Sequence, residues 1–133
     1  KQGEGSILNV ASSAGLLPAG PYMATYYATK SYVTSLTRAV ALELKEKKSN
    51  VYVGALCPGP VDTEFNKVAN VEFAIPSITP TYCASYAIRK MEKRKIVIVP
   101  KNKMKVLAFI SRVLPQSLVI RMTARQQKKK RSW

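Results

Sequence analysis

The chain has 133 residues, 47% of them hydrophobic, and a formal charge of +15; this is length enough for one domain with a core and too apolar for disorder throughout. It has no histidine and two cysteines, which excludes a Ser-His-Asp triad, imidazole metal sites and a zinc site made of cysteines alone. The charge is uneven, since residues 1–85 hold seven basic and six acidic side chains while residues 86–133 hold fifteen basic ones and a single acid, Glu92.

The first stretch, "GSILNVASSAG", carries Ile7, Leu8 and Val10 into small residues and Gly15, the pattern of a buried parallel strand that delivers a loop. Ser12 and Ser13 then stand at its carboxyl end. Lys1 is not a start methionine and the chain enters this strand at once, so the sequence is expected to be the later part of a longer protein. After the loop "LLPAGPY" a stretch without Pro or Gly runs from Met23 to Lys47, with Val33, Leu36, Val40 and Leu44 at helical spacing; it is expected to be an amphipathic helix.

"VYVGALCPG" predicts a second buried strand, stopped by Pro58 and Gly59. The loop that follows, "PVDTEFNKVANVEFAIPSI", has room for a short helix. Thr79 is a candidate cap with Pro80 at the first helical position, for a helix running to about Arg94. "KIVIVP" at 95–100 predicts a third strand, and Pro115 separates two basic amphipathic segments at about 102–114 and 116–130. Strands alternating with helices imply an α/β fold with a parallel sheet, in which ligands bind beyond the carboxyl ends of the strands. Ser13, Pro58 and Gly59 fall at such ends.

Without histidine, proton transfer has to use Tyr, Lys, Asp, Glu or Cys. In "YYATKSYV" Tyr26 and Lys30 are four apart, so a helix presents phenol and ammonium in one direction while Tyr27 points elsewhere. A free phenol, with a pKa near 10, is a poor base at neutral pH, but a neighbouring cation favours the phenolate. A tyrosine and lysine at this spacing also occur on plain helix surfaces. What distinguishes this pair is Ser13, thirteen residues upstream at the end of a strand, and "PGPVDT" at the end of the next. The thirteen-residue spacing favours Ser13 over Ser12, which is expected to face the sheet.

"NVASS", "YYATK" and "PGPVDT", in this order and spacing, resemble the second half of the short-chain dehydrogenase/reductase family over about residues 5–100. The resemblance implies a Rossmann-like doubly wound sheet, incomplete here, and an NAD(P)-dependent oxidoreductase acting on a carbonyl or secondary alcohol. By the matching positions, Tyr26 would be the acid/base, Ser13 would orient the substrate oxygen, and Lys30 would bind the nicotinamide ribose and assist Tyr26. Pro58, Gly59, the backbone near Val61 and Thr63 would line the nicotinamide site, and the helix with Tyr26 would pack on its counterpart in a homodimer or homotetramer. The sequence has no G-x-G-x-x-G loop. The residues that discriminate NAD from NADP lie in the family's earlier half, so this half alone is expected to bind dinucleotide poorly and to be inactive.

Between Lys101 and Arg131, positive charges alternate with ten apolar residues from Val106 to Met122. Their faces either cover the substrate pocket and pack on the core, or lie on an anionic membrane surface; by resemblance, such an extension is similar to those of family members acting on lipid-like, acyl or steroid substrates. A noncatalytic basic module over residues 86–133, binding membrane or nucleic acid, is the alternative from another class; few aromatic residues accompany the lysines, which argues against stacking on single-stranded nucleic acid. Residues 1–100 are read as the Rossmann-like half and 101–133 as a basic extension. No apolar run approaches the roughly 20 residues of a bilayer span, and two cysteines without a recognisable export signal suggest free thiols in the cytoplasm.

Overall fold

The computed structural model describes residues 3–64 and 76–130. Three strands, β1 (Glu4–Val10), β2 (Asn50–Leu56) and β3 (Val97–Ile98), form a parallel sheet in the order β1-β2-β3. The helices are α1 (Ala24–Glu46), α2 (Pro80–Glu92), α3 (Asn102–Val113) and α4 (Gln116–Lys130), with a 3-10 turn at Ser13–Leu16. This is the expected α/β architecture. The short helix expected after β2 would involve residues 65–75, which lie outside the described residues.

β2 is the centre of the core because both of its faces are covered. Ala55 and Cys57 pack with Ala11, Val99 and Met104 on one face, and Leu56 packs with Ile98, Cys83 and Ala87 on the other, as the alternation of side chains along a strand requires. β1 is less buried than expected: Ile7 is 53% and Val10 62% exposed, and among the described residues β1 pairs on one side only, with β2. β3 is shorter than the expected 95–100. The Lys95 carbonyl accepts the Tyr52 hydroxyl at 2.6 Å, and Pro100 has no N–H to continue the ladder.

α1 begins and ends where its sequence indicates, with Met23 and Lys47 as caps, and it turns most of the expected side inward, since Val33, Val40 and Leu44 are half-buried and Val33 packs on the core. Its buried residues are Tyr27, Thr34, Thr37 and Ala41, while Leu36 is exposed. Small threonines let the helix come close to the sheet, and their hydroxyls are satisfied locally: Thr34 Oγ1 donates to the Lys30 carbonyl at 2.8 Å and Thr37 Oγ1 to the Val33 carbonyl at 2.7 Å. Asn9 of β1 donates to Thr37 Oγ1 at 2.9 Å. At α2, Thr79 Oγ1 accepts the Tyr82 N–H at 3.2 Å ahead of Pro80, as its sequence indicates.

Candidate active site

Two loops at the carboxyl ends of β1 and β2 are joined by backbone bonds. Ala11 N donates to the Leu56 carbonyl and Ser13 N to the Pro58 carbonyl, both at 2.8 Å. Ser12 turns inward, buried, and its Oγ accepts the Ala14 N–H at 3.1 Å, so its hydroxyl caps the turn and Ser13 is left half-buried beside the cavity described below. Gly15 presses on the Lys30 carbonyl and on Thr34 Oγ1, with no space for a Cβ. The serine turn is thereby fixed to the helix that carries the tyrosine and the lysine.

On α1, Tyr26 and Lys30 are both half-buried. Lys30 Nζ donates to the Val10 carbonyl at 3.1 Å and lies 5.8 Å from the centroid of the Tyr26 ring. The end of β1 therefore orients the ammonium from below, leaving it alongside the phenol ring.

A cavity of about 640 Å³ gathers Ser13, Tyr26, Lys30, Pro58, Gly59, Val61 and Thr63 in its wall. All seven residues singled out in the sequence thus meet at one place, although they come from three separate stretches. The facing wall is formed by α3 and α4, through Met104, Leu107, Leu114, Val119 and Met122 among others. A Cβ on Gly59 would stand 3.0 Å from Met104 Cγ, so the loop after β2 and the start of α3 touch across the cavity floor.

Tyr27 departs from its expected position. It lines the same cavity, is 8% exposed, and accepts a hydrogen bond from Gln127 Nε2 of α4 at 3.0 Å. Burial raises its pKa, against the smaller opposing effect of the Gln127 bond. Spacing to Lys30 selects Tyr26 alone, whereas Tyr27 is selected by a helix that arrives 100 residues later. Gly20 packs on the Tyr27 ring with no room for a side chain, which is a signal the sequence does carry, in the "AGPY" loop.

Neither cysteine is placed as a nucleophile. Cys57 and Cys83 are free and buried, and burial raises both thiols, for Cys57 against a weaker bond from Thr34. Among the described residues no three His, Cys, Asp or Glu side chains gather to hold a metal ion.

A family model described as short chain dehydrogenase matches residues 1–72, more than half of the chain. The chain belongs to the short chain dehydrogenase family. It is 46% identical over 63 residues to D-beta-hydroxybutyrate dehydrogenase of Rhizobium meliloti, a match covering 47% of this chain and 23% of that protein. It is 25% identical over 132 residues to very-long-chain 3-oxoacyl-CoA reductase of Anas platyrhynchos, covering 99% of this chain and 40% of the relative. Among solved structures, a short-chain dehydrogenase from Sphingobium yanoikuyae in complex with NADPH superposes with a TM-score of 0.65 at 26% identity, over 84% of this chain and 44% of that one. The chain thus spans between about a quarter and two fifths of the curated relatives it matches.

The family match divides the cavity. Ser13, Tyr26, Lys30, Pro58, Gly59, Val61 and Thr63 fall inside residues 1–72, and α3 and α4 fall outside them. The family model thus spans one wall, and the facing wall lies beyond it, within the 132 residues matched to the 3-oxoacyl-CoA reductase.

Proposed function

We propose that this chain is the catalytic half of an NAD(P)-dependent oxidoreductase that transfers a hydride between nicotinamide and the carbonyl or secondary-alcohol carbon of an apolar, lipid-like substrate. The observation that carries the reading is the convergence of Ser13, Tyr26 and Lys30 with the Pro58–Thr63 loop on one cavity whose facing wall is apolar. Residues 1–100 supply the reacting groups, and α3 and α4 close the pocket over them. The basic end is in this reading part of the enzyme, because α3 and α4 share the cavity with Tyr26.

The residues present suit the nicotinamide riboside end of a dinucleotide. Lys30 offers an ammonium already oriented by Val10, Thr63 a hydroxyl, and Gly59 a backbone that can be approached closely. The dinucleotide, when bound, supplies or accepts the hydride at its nicotinamide ring. The sequence has no Gly-rich phosphate loop, so these 133 residues alone are expected to bind NAD or NADP weakly. Titration of the isolated chain and of the full-length protein with each dinucleotide checks this; tight binding by the isolated chain would refute it.

In the direction of reduction, the Ser13 hydroxyl donates to the substrate carbonyl and holds it. Tyr26 gives its hydroxyl proton to that oxygen as the hydride reaches the carbon, and Lys30 stabilises the phenolate that results. In oxidation, the phenolate takes the alcohol proton back. In the full-length protein Tyr26→Phe is expected to lower turnover by roughly 10³-fold while leaving dinucleotide affinity within about twofold. Turnover close to wild type would overturn the role of Tyr26.

The substrate class rests on the wall of Met104, Leu107, Leu114, Val119 and Met122, and the similarity to the 3-oxoacyl-CoA reductase extends through both helices. The side of α1 away from the sheet exposes Tyr32 (67%) and Leu36 (46%), which would carry contacts in a homodimer or homotetramer. Free, buried Cys57 and Cys83 suit a cytoplasmic, reducing setting.

A further inference from the structure

α3 is apolar on two opposite sides. Met104, Leu107, Ala108, Ser111 and Leu114 recur at three- and four-residue spacing and line the cavity. Half a turn away, Val106, Phe109 and Val113 form a second stripe at the same kind of spacing, and they are 56%, 69% and 72% exposed. Closing the cavity uses the first stripe. The second contributes nothing to it, and an exposed phenylalanine between two valines is a surface that water leaves uncovered at a free-energy cost.

Charge decides what covers it. Lys105 and Arg112 flank the outer stripe on one side and Lys103 on the other. Lys105 Nζ bonds the Tyr86 hydroxyl of α2 at 2.9 Å and Asn102 Oδ1 at 3.4 Å, neither of them a carboxylate. Residues 86–133 hold fifteen basic side chains against Glu92 alone. A convex apolar stripe edged by cations on both sides matches the boundary between acyl chains and anionic head groups, with the helix lying in the plane. A helix of 12 residues, about 18 Å long, cannot cross a bilayer, and no described helix is long and apolar enough to do so.

We infer that the outer face of α3 seats this protein on an anionic lipid surface, with Val106, Phe109 and Val113 in the acyl boundary and Lys103, Lys105 and Arg112 on the head groups. The inner face of the same helix walls the cavity, so one helix separates the bilayer from the pocket. Docking does not depend on the hydride chemistry proposed above.

The test is flotation of the full-length protein with phosphatidylcholine vesicles, with and without phosphatidylglycerol, at low and high salt. Wild type is expected to float with the anionic vesicles at low salt and to be released by salt. Phe109→Asp and Val113→Asp should each lower partitioning by about tenfold, and Lys103→Glu by about fivefold or more. Phe109→Ser, a milder change at an exposed site, should weaken binding in the same direction, with circular dichroism confirming the fold. Tyr26→Phe should float as wild type does, which separates this result from the catalytic reading. Equal flotation of wild type and Phe109→Asp would overturn the inference. So would a Phe109→Asp protein that changes from dimer to monomer, or loses RNA binding, with lipid binding unaltered, since the face would then belong to a second copy or to nucleic acid.

Discussion

The two walls of the cavity are built on different rules. The wall from β1, α1 and the loop after β2 is made of small and polar groups fixed by short bonds: Ser13 N to Pro58, Ser12 Oγ to Ala14 N, Lys30 Nζ to Val10, and Thr34 to Lys30. The wall from α3 and α4 is made of flexible apolar side chains, Met104, Leu107, Leu114 and Met122, joined to the first by the Tyr27–Gln127 bond. In the proposed reaction the first wall has to hold reacting atoms to fractions of an ångström. The second has only to exclude water and match a shape, which methionine and leucine do without fixed geometry. Substitutions in the first wall should therefore act on turnover, and those in the second on affinity and substrate range.

That division can be broken at either wall. Ser13→Ala in the full-length protein should lower kcat by about 10²-fold with little change in KM, read from steady-state kinetics; a pure KM effect would erase the distinction. Gly15→Ala forces a methyl against the Lys30 carbonyl and Thr34, and is expected to lower stability by about 1–3 kcal/mol together with kcat, in denaturant titration and kinetics on the same samples. Leu107→Ser, in the second wall, should raise KM for a long-chain substrate by about tenfold while sparing a short-chain one. Tyr27→Phe leaves Gln127 Nε2 without its acceptor in a buried place and should lower stability by about 1 kcal/mol, sharpening the value of the bond that joins the walls.

The smallest effect is one of pH. Burial raises the Cys57 thiol and the Tyr27 phenol above their ordinary values of 9.0 and 10.0, so the folded protein keeps these protons longer than the unfolded chain does. Their contribution to stability is complete below those ordinary values and is lost as pH rises past them. Melting temperature should therefore decline above about pH 9, and Cys57→Ala should flatten the first part of that decline.

Much of the fold and of the first wall is legible in the sequence, and the reason is that the signals are local. Pro58 ends a strand, Thr79 and Pro80 start a helix, and a phenol and an ammonium four residues apart share a direction wherever the helix packs. The face that α1 buries is legible in part: Val33, Val40 and Leu44 are half-buried as the periodicity indicates, whereas Leu36 is exposed and close approach to the sheet selects Thr34, Thr37 and Ala41 for full burial. β1 reads as buried from Ile7, Leu8 and Val10, yet burial depends on neighbours on both sides, and its outer edge is unpaired by any described strand. Tyr27 escapes for the same reason, since its partner is distant in sequence. The basic end reads equally as pocket cover or as surface, and α3 is both, one stripe facing each way.

The bond between Tyr27 and Gln127 also sets an order of events during synthesis. A ribosome delivers the serine turn, α1 and β2 long before α4, so the polar wall can assemble while the cavity is still open to solvent on its far side. A nascent chain halted at Pro115 would present Tyr27 without Gln127 and the polar wall without a roof. Completion of the pocket then waits for α4, and the apolar lining stays uncovered until that helix has emerged and packed.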